Sequence, residues 1–361
     1  MELLNNLKAP QSGLFFDMIF DFIIVGQGIA GTSFAFNLLR ENKSFFLVDK
    51  LNSLSSSRVA LGVYNPVILK WYTKPWHIQN QINFFYKFYR EYEQFFKLNI
   101  IHDLGIYKYL HTNYDQNNWL TKSLRLPQFL SNNLYSLDKD NLINKKSYGL
   151  IDSSGKINVS KFLNSFRKFC LENNLLDNSQ FDYEQLNISK NRVKYKNIKA
   201  SNIIFCEGSS AIHNPYFNSL KFTPTKGEIL DVKFQNFSFR SIIHSNLLFV
   251  PREDNLYSVG ATYDWLYKNN LVTQKAKLKI KSVIKKTINS KFNLINHKCS
   301  IRPSTSDRRP FVGTHPNYST LHILNGLGSR GVLLAPYLSK LLFDKIFYGK
   351  SIPQDIDVRR F

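Results

Sequence analysis

An apolar run, a glycine-rich turn, a helical segment and a second apolar run follow one another between residues 20 and 50. Residues 20–25 are rich in β-branched and aromatic side chains, which predicts a buried strand of a parallel sheet. Gly26 then allows a tight turn, Gly28 lets a pyrophosphate approach the backbone, and Gly31 lets a helix pack closely on the strand. The pyrophosphate would lie on the free N–H groups at the start of that helix. This order of elements predicts a dinucleotide-binding unit.

Asp49 ends the second apolar run, about 20 positions after Gly26, where a carboxylate accepts hydrogen bonds from an adenosine ribose. An acid there disfavours a 2′-phosphate, so NADP is not expected. The motif alone leaves FAD and NAD both open. The cofactor contacts predicted from it are Gly26, Gly28, Ile29, Ala30, Gly31, Asp49 and Lys50.

The chain has 361 residues and is 43% apolar, enough for about two domains with a large core. No run of ~20 uncharged apolar residues occurs, so no membrane span is expected. Residues 1–17 lack the features of a secretory signal; we expect a poorly ordered, dispensable extension, with Met18 as an alternative start. The three cysteines form no CxxC motif, which favours buried thiols in a reducing cytoplasm. No metal-ligand spacing is present.

The net charge of +22 raises the possibility of a nucleic-acid partner. However, Lys, Asn, Ile and Phe are all abundant, and AT-rich codons encode these four residues, so genome composition alone can produce this balance. The lysines between residues 277 and 286 alternate with Leu and Ile, a pattern typical of the solvated face of a helix. Charge therefore leaves nucleic-acid binding open without requiring it.

The middle of the chain divides into segments of different pattern. Aromatic residues with helical spacing predict a helix within 77–101, whereas 102–150 has no clear period and suggests short strands and loops. A turn and an amphipathic helix are predicted for 149–173. Residues 192–208 suggest a β-hairpin and then a buried strand ending at Gly208, where the backbone can approach a cofactor. Successive strands over 227–264, with no helix between them, predict an antiparallel sheet, and a helix follows at 273–289.

A second glycine-rich turn occurs near the C-terminus. A strand at 321–324 leads into the turn 325–331 and an apolar helix at 337–347. NAD dehydrogenases do not need such an element. A flavoprotein does, because a helix N-terminus can stabilise negative charge at N1 and the C2 carbonyl of the reduced flavin.

With these motifs the chain resembles the D-amino-acid-oxidase-like family of FAD-dependent oxidoreductases, and within it glycine oxidase and the FAD domain of the bifunctional tRNA-uridine modification enzyme. The resemblance rests on the first glycine turn with its acid, on Ser57-Arg58-x-Ala60-x-Gly62, on the segment from Arg302-Pro303 to Gly313, and on Gly328-Ser329-Arg330-Gly331. It implies an α/β fold in which a Rossmann-type FAD-binding domain interleaves with a substrate domain built on an antiparallel sheet. We assign 18–76, 151–220 and 301–361 to the FAD domain, and 77–150 and 221–300 to the substrate domain.

The resemblance also implies roles for individual residues. Arg302 would grip a substrate carboxylate as the catalytic residue. The further cofactor contacts are Ser57, Arg58, Gly62, Gly208, Gly328, Ser329, Arg330, Gly331, Val332 and Leu333, and the substrate-pocket candidates are Tyr64, Asn246, Leu248, Tyr263 and Arg330. The chain departs from the family pattern at two places: Asn246 and Leu248 replace residues that are often aromatic or polar in the pocket, and Arg330 lies one place later than the corresponding arginine of glycine oxidase.

These features predict a cytoplasmic FAD enzyme that oxidises the C–N bond of an amine or amino acid by hydride transfer to the flavin, with dioxygen as the default electron acceptor and a quinone or another protein as alternatives. Two other functions stay open. One is a tRNA-modifying oxidase acting on carboxymethylaminomethyl-uridine, although the methyltransferase half of that enzyme is absent. The other is a flavin-binding module without turnover. The oligomeric state is not determined by the sequence.

Overall fold

The computed structural model describes residues 19–361, so the expectations for residues 1–17 and for Met18 lie outside the described residues. Nineteen strands fall into two eight-stranded sheets and one three-stranded sheet in this part of the chain. The strands are β1 Ile19–Val25, β2 Phe45–Val48, β3 Val63–Tyr64, β4 Ile101–Asp103, β5 Ile106–Tyr109, β6 Leu130–Tyr135, β7 Tyr148–Ile151, β8 Gly155–Ile157, β9 Leu176–Asp177, β10 Leu186–Ile188, β11 Val193–Tyr195, β12 Ile198–Phe205, β13 Thr225–Phe234, β14 Ile242–His244, β15 Leu248–Pro251, β16 Leu256–Gly260, β17 Phe292–Arg302, β18 Phe311–Thr314 and β19 Leu321–Asn325. The helices are α1 Ile29–Arg40, α2 Ser56–Val59, α3 Ile78–Phe96, α4 Asn113–Arg125, α5 Val159–Glu172, α6 Gln274–Thr287 and α7 Gly331–Tyr348.

The first large sheet carries the predicted dinucleotide-binding unit. Its central strand β1 pairs in parallel with β2 and β12, and β12 pairs in parallel with β19. Helices α1 and α7 pack against each other, and α3 packs on α7. The aromatic residues of α3 fill the core, with Phe85, Phe88, Tyr89 and Tyr92 fully buried. The predicted buried parallel strand and the predicted aromatic helix are therefore both confirmed.

The second large sheet runs in the order β17-β13-β16-β15-β14-β5-β7-β6. Its pairs are antiparallel except β14 with β5, which confirms the antiparallel sheet predicted over 227–264. Helix α6 covers one face and buries Ile280 and Ile284 there. Most of its lysines are exposed, as the alternation of Lys with Leu and Ile predicts.

The segment 102–150 differs from the prediction, because it contains the helix α4 in addition to strands and loops. The side chain of Thr112 accepts the backbone N–H of Asp115, and the Asp115 carboxylate accepts the N–H of Thr112, so the helix starts with a capping box. Only Trp119 and Ser123 are buried along α4. A helix with so narrow a buried stripe has no visible apolar period, which is why the pattern was missed.

Three smaller differences concern the ends of elements. Gly149 lies inside β7 and not in a turn before α5. The return strand of the hairpin predicted within 192–208 is itself the buried strand, β12. The run 241–251, which the sequence pattern predicts as one of the strands within 227–264, forms two paired strands, β14 and β15, joined by a short turn. None of the described helices is long and apolar enough to cross a bilayer.

Candidate functional site

One large cavity is lined by residues of both large sheets and has a volume of about 1430 Å³. Pockets for a single small ligand occupy about 300–1,000 Å³, so this cavity has room for a dinucleotide and a second molecule. Most of the predicted site residues line it. They are Gly26, Gly28, Ile29, Ala30, Asp49, Lys50, Ser57, Arg58, Gly62, Gly208, Asn246, Leu248, Tyr263, Arg302, Gly328, Ser329, Arg330, Gly331, Val332 and Leu333.

At one end of the cavity, β1 turns into α1 through the first glycine motif. Gly26 has a φ of +97°, a backbone conformation that favours glycine. Helix α1 starts at Ile29, after Gly28, which provides no side-chain cap, and its first turn contains no acid. The Ser57 hydroxyl accepts the N–H of Ile29 at 3.0 Å. This uncapped helix N-terminus is a suitable binding place for a phosphate group.

Gly31 does not line the cavity. A Cβ at this position would lie 1.9 Å from the carbonyl oxygen of Gly26, so the glycine permits the close packing of α1 against the turn. This is the packing role that the motif predicts for it.

The Asp49 carboxylate is held by groups that the sequence did not identify. Its Oδ1 accepts the backbone N–H of Gln27 at 2.9 Å, and its Oδ2 accepts Arg167 Nη1 at 2.9 Å. Arg167 is buried and also donates to Asn178 Oδ1 and Gln27 Oε1. Arg167 lies four residues after Leu163, on the apolar stripe of α5, and an arginine on such a stripe is the signal that could have revealed it.

Helix α2 and the segment that follows it line part of the cavity. Arg58 donates from Nη1 to Asn164 Oδ1 at 2.7 Å, while its Nη2 is shielded from solvent and has no hydrogen-bond partner among the described residues. Burial lowers the pKa of Arg58. Arg252 donates to the carbonyl oxygen of Leu61 at 3.1 Å, which ties this segment to the second sheet. The unpartnered Nη2 could donate to an anionic ligand.

The second glycine turn lines the same cavity and lies close to the first, since a Cβ on Gly331 would be 3.2 Å from Cγ2 of Ile29. Helix α7 starts at Gly331 with no side-chain cap and no acid in its first turn, so a second positive helix end points at the ligand space. Arg330 does not reach freely into that space, because its guanidinium donates to Asn65 Oδ1 at 3.2 Å and to Asn65 O at 2.9 Å. Burial lowers the pKa of Arg330 to about 10.

The Arg302 side chain lies on the cavity-facing side of the second sheet. Its Nη2 donates to the carbonyl oxygen of Thr262 at 3.2 Å, and its guanidinium stacks 4.3 Å from the ring centre of Tyr263. Nη1 is shielded from solvent and has no partner among the described residues. A Cβ on Gly227 would lie 2.2 Å from Nη2, so this glycine, which the sequence analysis missed, makes the space in which the guanidinium lies.

Tyr64 was predicted as a pocket residue, but the structure places it outside the cavity. Its hydroxyl donates to the Asp103 carboxylate and lies 3.5 Å from the Tyr86 hydroxyl. Its ring packs 4.4 Å from the ring of Phe85. The alternation of strand side chains decides this outcome: Val63 lines the cavity, and its neighbour on β3 points the opposite way.

A family model described as "FAD dependent oxidoreductase" matches residues 21–345 of this chain. The chain belongs to this family. The resemblance seen in the sequence and the mixed α/β fold class are thereby confirmed.

Relatives of the chain are consistent with this family. Glycine oxidase of Bacillus subtilis is 30% identical over 143 residues, a match that covers 37% of this chain and 37% of that protein. Glycine oxidase of Bacillus licheniformis is 30% identical over 135 residues, covering 35% of each. The chain thus matches little more than a third of the length of these curated relatives.

Two solved structures share the fold over most of the chain. Iminodiacetate oxidase from a Chelativorans species superposes with a TM-score of 0.76 at 17% identity, covering 92% of this chain and 97% of that one. Glycine oxidase from Bacillus cereus gives a TM-score of 0.75 at 17% identity, covering 92% and 96%. At this identity the likeness shows the fold alone.

FAD, on which the family depends, is the cofactor of this FAD-dependent oxidoreductase. The cavity fits that molecule in three respects. Two uncapped helix N-termini face it, the Nη2 of Arg58 is buried without a partner, and a Cβ on Gly208 would meet no atom within 4 Å. Among residues 19–361, no cluster of three or more His, Cys, Asp or Glu side chains is arranged to hold a metal ion.

Proposed function

We propose that this chain oxidises the C–N bond of an amino acid whose carboxylate binds Arg302. The observation that carries the proposal is the guanidinium itself, which faces the cavity with Nη1 shielded from solvent and unpartnered. A shielded charge without an opposite charge is unfavourable. The planar fork of an arginine matches the two oxygens of a carboxylate, so a bound carboxylate would supply the missing partner.

The two glycine turns have different proposed roles toward FAD. The turn Gly26–Gly31, Asp49, Ser57 and Arg58 would hold the ADP half, because they combine an uncapped helix N-terminus, a ribose acceptor and a free guanidinium nitrogen. The turn Gly328–Leu333 would meet the flavin ring. FAD, when bound, supplies a hydride acceptor for the substrate carbon. The N-terminus of α7 would stabilise the negative charge that the ring gains.

Arg302 would also orient the substrate. With the carboxylate fixed by two parallel hydrogen bonds, the amino group and the hydrogen on the α-carbon take defined directions from the anchor. The stack on Tyr263 and the bond to Thr262 O hold the guanidinium itself in place. Dioxygen is the proposed electron acceptor.

Replacement of Arg302 tests this proposal. A charge-assisted bidentate pair sheltered from water contributes on the order of 2–4 kcal/mol, so Arg302→Ala should slow anaerobic flavin reduction at low substrate by ~30- to ~1000-fold. The rate for Arg302→Lys, which keeps the charge and loses the planar fork, should lie between those of the unmodified protein and of Arg302→Ala. The panel of substrates is glycine, sarcosine, D-amino acids and proline.

Arg192→Ala is the matched control, because Arg192 is exposed and lies outside the cavity. FAD content and thermal stability should change little in all three variants. Loss of FAD or of folding in Arg302→Ala would show that the arginine has a structural role instead of binding substrate. Reduction at an unchanged rate would mean that the substrate has no carboxylate at this position. A protein that keeps FAD and is reduced by no compound would be a flavin-binding module.

The rim of the cavity favours one further candidate, a tRNA-modifying oxidase acting on carboxymethylaminomethyl-uridine. Exposed basic and aromatic side chains alternate there. They are Lys50, Lys70, Trp71, Tyr263, Trp265 and Arg308. Bases stack on aromatic rings while cations bind phosphates, so this rim could hold a nucleic acid. Anaerobic reduction by modified tRNA, falling steeply with added salt and not matched by free amino acids, would favour this candidate.

A further inference from the structure

Part of the cavity wall is a row of residues that crosses five neighbouring strands of the second sheet. The register pairs Lys108 with His244, His244 with Leu248, Leu248 with Gly260, and Gly260 with Ile229. Residues paired directly across a sheet point to the same face. All five line the cavity. Lys108 and His244 are therefore cavity groups at the end of the row remote from Arg302.

His244 carries a polar atom with nothing to bind. Its Nδ1 is shielded from solvent and has no hydrogen-bond partner among residues 19–361. Burial lowers the pKa of His244 to about 3, so the imidazole is neutral at pH 7 and offers one N–H donor and one acceptor. A buried polar atom without a partner is unfavourable, and a ligand in the cavity would satisfy it.

Lys108 is the neighbouring cation. Its ammonium has three donors, and its one hydrogen bond within residues 19–361 is to the carbonyl oxygen of Ser245 at a long 3.4 Å. Burial lowers the pKa of Lys108 and the carboxylate of Asp115 raises it. No described acid lies within ion-pair distance of this ammonium, and Asp115 already accepts the N–H of Thr112 as a helix cap. Donors of Lys108 are thus left for a ligand.

The separation from Arg302 sets the size of such a ligand. The Arg302 guanidinium lies over Gly227 on β13, and Lys108 reaches toward Ser245, next to β14. Three strand spacings of about 4.8 Å separate β13 from β14, so the two cations lie roughly 14 Å apart. Asn246, in the turn between β14 and β15, also lines the cavity.

We propose that Lys108 and His244 form a second anion-binding subsite, which takes the acidic end of an amino acid whose α-carboxylate binds Arg302. This inference rests on the proposed function and specifies its substrate class: amino acids with a carboxylate at the end of a side chain several atoms long. In this arrangement Lys108 supplies the charge, His244 donates one hydrogen bond, and Leu248 packs against the methylene groups between the two acidic ends.

The test compares acidic amino acids with neutral ones of similar length on the FAD-loaded enzyme. Glutamate and 2-aminoadipate, in both enantiomers, should reduce the flavin at lower half-saturating concentration than norvaline and norleucine. Lys108→Met should raise that concentration about 10- to 100-fold for the acidic compounds, as expected for a hydrogen bond to a charged group. The limiting rate, and the values for neutral amino acids, should stay unchanged.

Two further variants separate a specific role from a structural one. Lys108→Arg, unlike Lys108→Met, should retain most of the preference for acidic over neutral amino acids, because it keeps the positive charge. Lys233→Met is the matched control, since Lys233 is an exposed strand lysine of the same sheet that lies outside the cavity. The proposed subsite would be refuted if Lys108→Met affected acidic and neutral amino acids equally. It would also be refuted if the variant kept the preference for acidic amino acids.

Inert ligands keep the subsite testable if amino-acid oxidation itself is wrong. Glutarate, adipate and pimelate should bind the FAD-loaded enzyme more tightly than butyrate and hexanoate, as followed by changes in the flavin spectrum, and Lys108→Met should remove the difference. Binding that depends on Lys108, without reduction by any amino acid, would overturn the proposed function alone. Reduction by neutral amino acids with no gain for dicarboxylates would overturn the subsite alone. Failure of both measurements would overturn both.

Discussion

Gly227→Ala should weaken substrate binding by displacing the Arg302 guanidinium, with Arg302 itself left unreplaced. Gly227 lies on β13 opposite Ser300, two positions from the pair of Thr225 with Arg302. Its φ is not in the left-handed region, so alanine meets no backbone strain. The added Cβ would instead lie 2.2 Å from Nη2 of Arg302 and 2.5 Å from both Cζ and Nη1.

The size of the effect follows from these three distances. Carbon and nitrogen atoms in van der Waals contact need about 3.5 Å, so the guanidinium must move by about 1 Å or more. The far end of an arginine can swing away, and the sheet need not shift. A displacement of about 1 Å in a positioning group can cost about 100-fold in rate, which is about 2.7 kcal/mol. The change in the free energy of unfolding should stay within about 1 kcal/mol, because glycine to alanine in extended backbone stabilises slightly and offsets the disturbed stack on Tyr263.

Stopped-flow measurement of anaerobic flavin reduction, over a range of substrate concentrations, would measure the loss. The double variant Gly227→Ala with Arg302→Ala supplies the control: with no guanidinium to displace, the alanine should have no further effect. The reasoning fails if Gly227→Ala reduces the flavin as fast as the unmodified protein. It also fails if the two substitutions act additively, since the glycine would then matter for a reason unconnected with Arg302.

Two other substitutions test the cofactor site and the pH dependence of folding stability. Gly28→Val should abolish FAD binding, measured as loss of flavin absorbance in the purified protein, because a side chain beside Ser57 would occupy the pyrophosphate's place at the start of α1; a yellow variant would contradict this. His322 is buried between Thr314 and Asn202, and burial lowers its pKa to about 3. Between about pH 6.5 and 3 the unfolded chain therefore binds a proton that the folded chain does not. As the pH is lowered through this range, the free energy of unfolding should decrease by as much as about 1.4 kcal/mol per pH unit. His322→Gln should flatten that fall in denaturant titrations, and an unchanged slope would refute the assignment.

Prediction from the sequence succeeded where a feature depends on neighbours along the chain. The strand, turn and helix from β1 to α1 follow from glycine sterics and an apolar run within about 20 residues. The lysine-rich face of α6 follows from the helical period. Prediction from the sequence failed for α4, where contacts at the start of the helix determine the structure. The capping box and the single buried tryptophan of α4 leave no helical period of apolar residues to detect.

The candidate site divides in the same way. Glycine turns and the arginine of the Arg302-Pro303 pair could be located from the sequence, because each has a local signature. Arg167 holds Asp49 across 118 positions of chain, and no spacing rule connects residues so far apart. Tyr64 was misplaced for a related reason: on a two-residue strand, the face that a side chain takes depends on the partner strand and not on the chain itself.

The sequence by itself determined the family, the cofactor class and the order of most elements, because these depend on local backbone geometry and on periodic apolar burial. The tertiary structure alone decided which polar groups share the cavity. Lys108 on β5 is far along the chain from His244 on β14 and Gly227 on β13, and the pairing of the strands in one sheet brings all three to the same cavity. Register is set by the hydrogen bonds and packing of the whole sheet, so the charge and shape of the substrate space exist only after that sheet has formed.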